Sequence, residues 1–137
     1  MRIIILVLSL ISVIIATQSV HVRGRFTCGK VPIRGAYVRV FEYGFFGDSE
    51  WNHVQTDDKG YFSLKATGNG SPYVYAKLRC WDGLKQECSK IFHMDVPEDF
   101  RTNGHFPDLT LNIGEFDITK PFLNNGGNQR DSNKYCE

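Results

Sequence analysis

The chain predicts an all-β fold, a two-sheet antiparallel β-sandwich stapled by two disulfides, on three observations. Apolar and polar residues alternate with period two through several short segments. Gly, Pro, Asn and Asp separate those segments at intervals of roughly 8–15 residues. No stretch sustains a 3.6-residue apolar period over ten residues, which leaves about seven strands and no amphipathic helix.

Val20, Val22, Gly24 and Phe26 alternate with His21, Arg23, Arg25 and Thr27, the pattern of a half-buried strand. Cys28-Gly29-Lys30-Val31-Pro32 ends it in a turn. From Gly35 to Tyr43, Ala36, Val38 and Val40 share one face and Tyr37, Arg39 and Phe41 the other. Both faces carry large groups, so this strand is either covered twice or exposes an aromatic face. Trp51 to Thr56 and Tyr61 to Ala66 flank Asp57-Asp58-Lys59-Gly60, where an acidic pair followed by Gly marks a tight turn. A calcium loop would need alternating oxygen ligands after Asp58, and the residues there do not supply them. The loop Thr67 to Pro72 precedes Tyr73 to Cys80, in which Val74, Ala76, Leu78 and Cys80 face one way. Lys90 to Val96 and Leu109 to Ile113 alternate again, separated by breaks at Pro97-Glu98-Asp99 and Asn103-Gly104.

The chain opens with Met1-Arg2, an almost unbroken Ile/Leu/Val run from Ile3 to Ile15, and Ala16. One cation, a short apolar core and a small residue form the pattern of a secretory leader. A membrane-crossing helix needs about 20 apolar residues, and this run is shorter. Cleavage is expected after Ala16, with Ser19 as the second choice. The expected organisation is thus leader 1–16 (alternatively 1–19), sandwich 17–119, and a polar tail 120–137 anchored by Cys136. The expected location is extracellular. Of the 16 basic residues the leader removes one and none of the 15 acids, so the mature chain is formally neutral. A neutral chain is a poor non-specific nucleic-acid binder, because cationic excess supplies most of that affinity.

Outside the cytosol an even number of cysteines implies disulfides, here two among Cys28, Cys80, Cys88 and Cys136. Three pairings are open. Proximity favours Cys80 with Cys88, which bracket a seven-residue segment, and so Cys28 with Cys136. A metal site draws no support from the spacing, since no pair is C-x-x-C. No cofactor motif is present. Neither G-x-S-x-G nor a phosphate-binding glycine loop occurs.

Gln18-Ser19-Val20 leading to Gly24-Arg25-Phe26-Thr27-Cys28-Gly29-Lys30 resembles the N-terminal signature of the nematode transthyretin-like family. Val38 to Glu42, Thr56 to Leu64, Lys77-Leu78-Arg79-Cys80, Cys88-Ser89-Lys90 and Val96 to Phe100 follow in the family's order, and the four cysteines fall in matching places. The resemblance implies a secreted transthyretin (prealbumin)-like sandwich without enzymatic activity. It also implies an extracellular role: binding a lipid, a small apolar ligand or a cell-surface partner, or bridging cells. The usual Asn between Cys28 and Gly29 is missing, and Tyr43 to Glu50 is richer in aromatic residues and Gly than the family's acidic stretch.

The same fold hosts a hydrolase of the hydroxyisourate hydrolase type, which needs paired histidines, an arginine and a closing Tyr-Arg-Gly-Ser. This chain closes Asn133-Lys134-Tyr135-Cys136-Glu137, and His21, His53, His93 and His105 lie on separate predicted elements. Catalysis is therefore not expected. A structural component of cuticle or matrix is a third reading.

Tyr43, Phe45, Phe46, Trp51 and Trp81 form the candidate binding group. Phe45-Phe46 between Gly44 and Gly47 either folds back as a lid on the core or projects as an apolar tip suited to a lipid interface. Lys85, Arg34 and Arg39 are the cations that would add attraction to an anionic lipid. Asn69-Gly70-Ser71 is a glycosylation acceptor on a loop. Oligomeric state is not legible.

Overall fold

Gln18–Cys28, the longest strand (β1), organises one of two sheets. Its alternation decides its orientation: Val20, Val22 and Phe26 have no solvent exposure, while Arg23 on the opposite face is exposed. The computed structural model describes residues 17–80 and 88–120. The leader, Trp81, Lys85, Cys136 and most of the polar tail lie outside the described residues, so the expectations placed on them stand apart from the structure.

After β1 come β2 (Val31–Pro32), β3 (Tyr37–Glu42), β4 (Ser49–Gln55), β5 (Tyr61–Gly68) and β6 (Pro72–Cys80). These are followed by β7 (Cys88–Asp95), a 3₁₀ turn at Glu98–Phe100, β8 (Thr102–Asn103) and β9 (Thr110–Asp117). One sheet gathers β2, β5, β8 and β9 around β1. The other runs in the order β4-β3-β6-β7. The core lies between them, where Phe26 stacks on Phe62 at 5.2 Å and meets the edge of Phe92 at 5.3 Å. Every inward residue expected on β3, β5 and β6, from Val38 and Val40 through Leu64 to Leu78, is buried there.

Two expectations about this sandwich are corrected. First, β9 runs parallel to β1, with His21 opposite Thr110 and Thr27 opposite Asp117, so the sheet is not wholly antiparallel. The register shifts between Arg23 and Arg25. Here Gly24 is required, because a Cβ would sit 2.4 Å from Ile113 Cγ1. The bulge lets β9 continue past Ile113 through Gly114, whose φ is +79°.

Second, Cys80 bonds to Cys28, not to Cys88, with Cα atoms 5.8 Å apart. Cys28 is therefore not joined to Cys136. The physical reason is orientation. Cys80 continues the inward row Val74, Ala76, Leu78, and that row faces the other sheet, where β1 ends at Cys28. The expected hairpin is present, since Cys80 and Cys88 are register partners on β6 and β7, but nearness in sequence did not decide the bond.

The Asp57–Gly60 turn forms as its residues imply. Asp57 Oδ1 accepts the Lys59 and Tyr61 N–H groups, both at 2.9 Å, and Gly60 has φ +82°. The preceding Thr56 is buried. Its hydroxyl donates to the Ile33 carbonyl at 2.7 Å and accepts the Ala36 N–H at 3.0 Å, tying the β2–β3 connection to the end of β4.

Candidate functional site

β3 and β4 form a hairpin whose connection, residues 43–48, leaves the end of the four-stranded sheet. The Gly47 N–H reaches back to the Gly44 carbonyl at 3.4 Å, and Gly47 takes φ +131°. Gly44 has no room for a side chain, since a Cβ would lie 2.1 Å from the Gly47 carbonyl oxygen. The two glycines thus fold a turn of four residues whose middle pair must point outward. Phe45 is 95% exposed and Phe46 98%, and their rings meet edge to face at 4.8 Å. The lid alternative is overturned: neither ring touches the core.

Beneath the tip, Asp48 acts as a brace. One carboxylate oxygen accepts the Gly44 N–H at 3.1 Å, and the other accepts the Tyr73 hydroxyl hydrogen at 2.5 Å. The Tyr73 hydrogen bond, then that of Gly44, holds the Asp48 carboxyl below its usual pKa. Burial, followed by the hydrogen bond to Asp48 and then its charge, pushes the Tyr73 phenol well above its ordinary value. Tyr73 also stacks on His93 at 4.5 Å and lies tilted against Tyr43, its ring centre 4.5 Å away. The Tyr43 hydroxyl donates to Asp95. A rigid aromatic and carboxylate base therefore carries two bare phenylalanines.

The remaining candidates divide. Tyr43 is half-exposed and belongs to the base, close to the tip. Trp51 does not join it. Its indole N–H donates to Glu42 at 2.9 Å, and its ring covers Gly68 so closely that a Cβ there would lie 2.0 Å from it. Trp51 is half-buried and packs against the core, apart from the tip. Asn69 is exposed on its loop. Arg34 precedes β3 and Arg39 lies within it, whereas the tip follows its far end. Two carboxylates, Asp48 and Asp95, hydrogen-bond to the base of the tip at Gly44 and Tyr43.

The four histidines are not gathered. His53 and His93 lie on β4 and β7 of one sheet, His21 on β1 of the other, and His105 between β8 and β9. A cluster missed in the sequence is His21 with two hydroxyls, Ser63 Oγ at 2.7 Å from Nε2 and Thr110 Oγ1 at 2.8 Å from Nδ1. It was hidden because the three residues sit on β1, β5 and β9, and only their register aligns them. A neutral imidazole bridges two hydroxyls by donating to one and accepting from the other. Its third member is a hydroxyl where an acid would stabilise an imidazolium, so the cluster reads as a rung between strands. Among the described residues no group of three His, Cys, Asp or Glu side chains is placed to hold a metal ion.

Residues 23–97 match the family model described as the transthyretin-like family, TTR-52. The chain belongs to the transthyretin-like family. A similar protein is transthyretin-like protein 33 of Caenorhabditis elegans, 29% identical over 112 residues that cover 77% of this chain and 78% of that one. Among solved structures, a 9R-lipoxygenase from Cyanothece aligns with a TM-score of 0.42 and 11% identity, over 79% of this chain and 18% of its own. That degree of similarity carries no weight for this transthyretin-like chain. The matched segment contains the 43–48 tip, its brace and the Cys28–Cys80 bond.

Proposed function

We propose that this transthyretin-like chain is a secreted, non-enzymatic extracellular protein that attaches to a lipid interface by inserting Phe45 and Phe46. One observation carries the reading: two adjacent phenylalanines stand almost fully in solvent on a turn braced from below. Transferring each ring out of water is worth about 1.5–3 kcal/mol, before the cost of orienting the protein at a surface. A convex tip suits a soft apolar phase better than it suits enclosing a small molecule. Asp48 and Asp95 beneath it disfavour an anionic surface, so the expected target is an uncharged or zwitterionic interface. The leader pattern and the Cys28–Cys80 bond support an oxidising, extracellular setting.

The test is co-sedimentation with phosphatidylcholine vesicles. Phe45→Ser combined with Phe46→Ser should weaken binding at least tenfold. The melting temperature should move by no more than about 3 °C, because exposed positions away from packing change stability by about 0.5 kcal/mol or less. Equal binding by wild type and the double variant would reject the tip. Absence of vesicle binding by the wild type would reject the lipid target and leave an apolar recess on a partner as the occupant to seek.

A further inference from the structure

The opposite end of the four-stranded sheet has a different character. On its outer face, where β3 begins and β6 ends, lies an open groove of about 400 Å³ whose side chains include Arg34, Arg39, Lys77 and Arg79, with Tyr37 and Tyr75 between them. No acid lines it. Glu50 stands at the rim, paired with Arg39 at 2.7 Å. The Arg39 guanidinium also lies over the Tyr37 ring, 5.0 Å from its centre, and its strand register sets it beside Tyr75. In a mature chain with equal numbers of acids and bases, four cations around one groove is a strong local segregation of charge.

We propose that this groove binds a sulfated polysaccharide. Three features select that occupant. The cations are spread: Arg39 sits beside Tyr75, and Arg79 is four residues further along β6, about 13 Å by strand rise. One oxyanion does not span that distance, whereas a chain bearing repeated sulfates does. Guanidinium groups hold such oxyanions through paired N–H donors. The half-exposed Tyr37 ring offers a flat apolar face against which a sugar ring can lie, with Tyr75 beside it. A membrane headgroup fits less well, because Ile33 in the groove is buried and the exposed phenylalanines lie past the other end of β3. The site is independent of the 43–48 tip, so one molecule can hold an apolar interface at one end and a polyanion at the other.

The test uses the purified full chain, with heparin as the sulfated probe. Chemically desulfated heparin and phosphatidylserine vesicles serve as contrasts. Wild type should bind heparin in a salt-sensitive manner and ignore the desulfated polymer. Arg34→Gln combined with Lys77→Gln, both exposed positions, should raise the Kd about tenfold without altering the melting temperature. The Phe45→Ser, Phe46→Ser variant should bind heparin as wild type does, which separates this site from the tip. No heparin binding at low salt, equal binding of the desulfated polymer, or indifference to the Arg34/Lys77 pair would overturn the proposal. Binding to phosphatidylserine vesicles that needs Arg34 and Lys77, with none to heparin, would overturn it in favour of a headgroup.

Discussion

Cys80 bonds across the sandwich to Cys28 although Cys88 is its register partner on the adjacent strand. The bond closes a loop of 52 residues and fastens the end of β6 to the end of β1. On the chain-entropy model that closure is worth about 4 kcal/mol. Replacing both cysteines with Ser should therefore lower unfolding free energy in a denaturant titration by about that amount. Peptide mapping without reduction should recover a Cys28–Cys80 fragment, and a Cys80–Cys88 fragment would contradict the fold's orientation of β6.

Asp48 links the tip to the sheet through Gly44 and Tyr73. Asp48→Ala should accelerate hydrogen exchange at the Gly44 amide and weaken vesicle binding several-fold while leaving the core intact. The carboxyl's folded-state pKa lies below its ordinary 3.8, chiefly because of the Tyr73 hydrogen bond. Its contribution is thus present above about pH 4 and is lost as pH falls through the depressed value. Gly44 amide exchange that is equally slow in the Ala variant would show that the brace does not order the turn.

His21 has its pKa lowered from 6.5, first by burial and then by Lys65 and Arg23. The unfolded chain therefore takes up a proton at His21 before the folded protein does. Stability from this group is complete above about pH 6.5 and declines as pH drops toward the depressed folded value. In NMR titration the His21 imidazole should show a midpoint below 6.5. His21→Gln should flatten the melting-temperature profile between pH 7 and 5. A midpoint at or above 6.5 would contradict the placement of the ring between Ser63 and Thr110.

Gly24 faces the bulge where β9 passes β1. Gly24→Ala should cost about 1–3 kcal/mol, the range for forcing extra volume into a packed site, read from thermal or denaturant unfolding. A neutral substitution would mean that Ile113 moves aside freely.

Much of the fold was legible because period-two alternation directly reports which residues face the other sheet. Val20, Val22, Val38, Val40, Leu64 and Leu78 were assigned inward by that rule, and all are buried. The parallel β1–β9 pairing was not legible, since alternation carries no information about which strand lies alongside. The Cys80 partner was half legible: its inward face was evident, but chain proximity pointed to Cys88. At the candidate site the flanking glycines marked a turn, yet the choice between lid and tip depended on Asp48 reaching Tyr73, 25 residues away. The packing of Trp51 was not legible for a related reason, because Gly68 beneath its ring is distant in sequence. The cationic groove was visible only as Arg34 and Arg39. Lys77 and Arg79 joined it once β6 was placed beside β3.

The most direct measurement places a reporter in the tip itself. Phe46→Trp keeps an aromatic ring at the exposed position and gives a fluorophore distinguishable by difference from Trp51 and Trp81. Added phosphatidylcholine vesicles should shift its emission to shorter wavelength, and brominated acyl chains should quench it. Vesicle binding with an unshifted, unquenched Trp at 46 would contradict insertion of the tip.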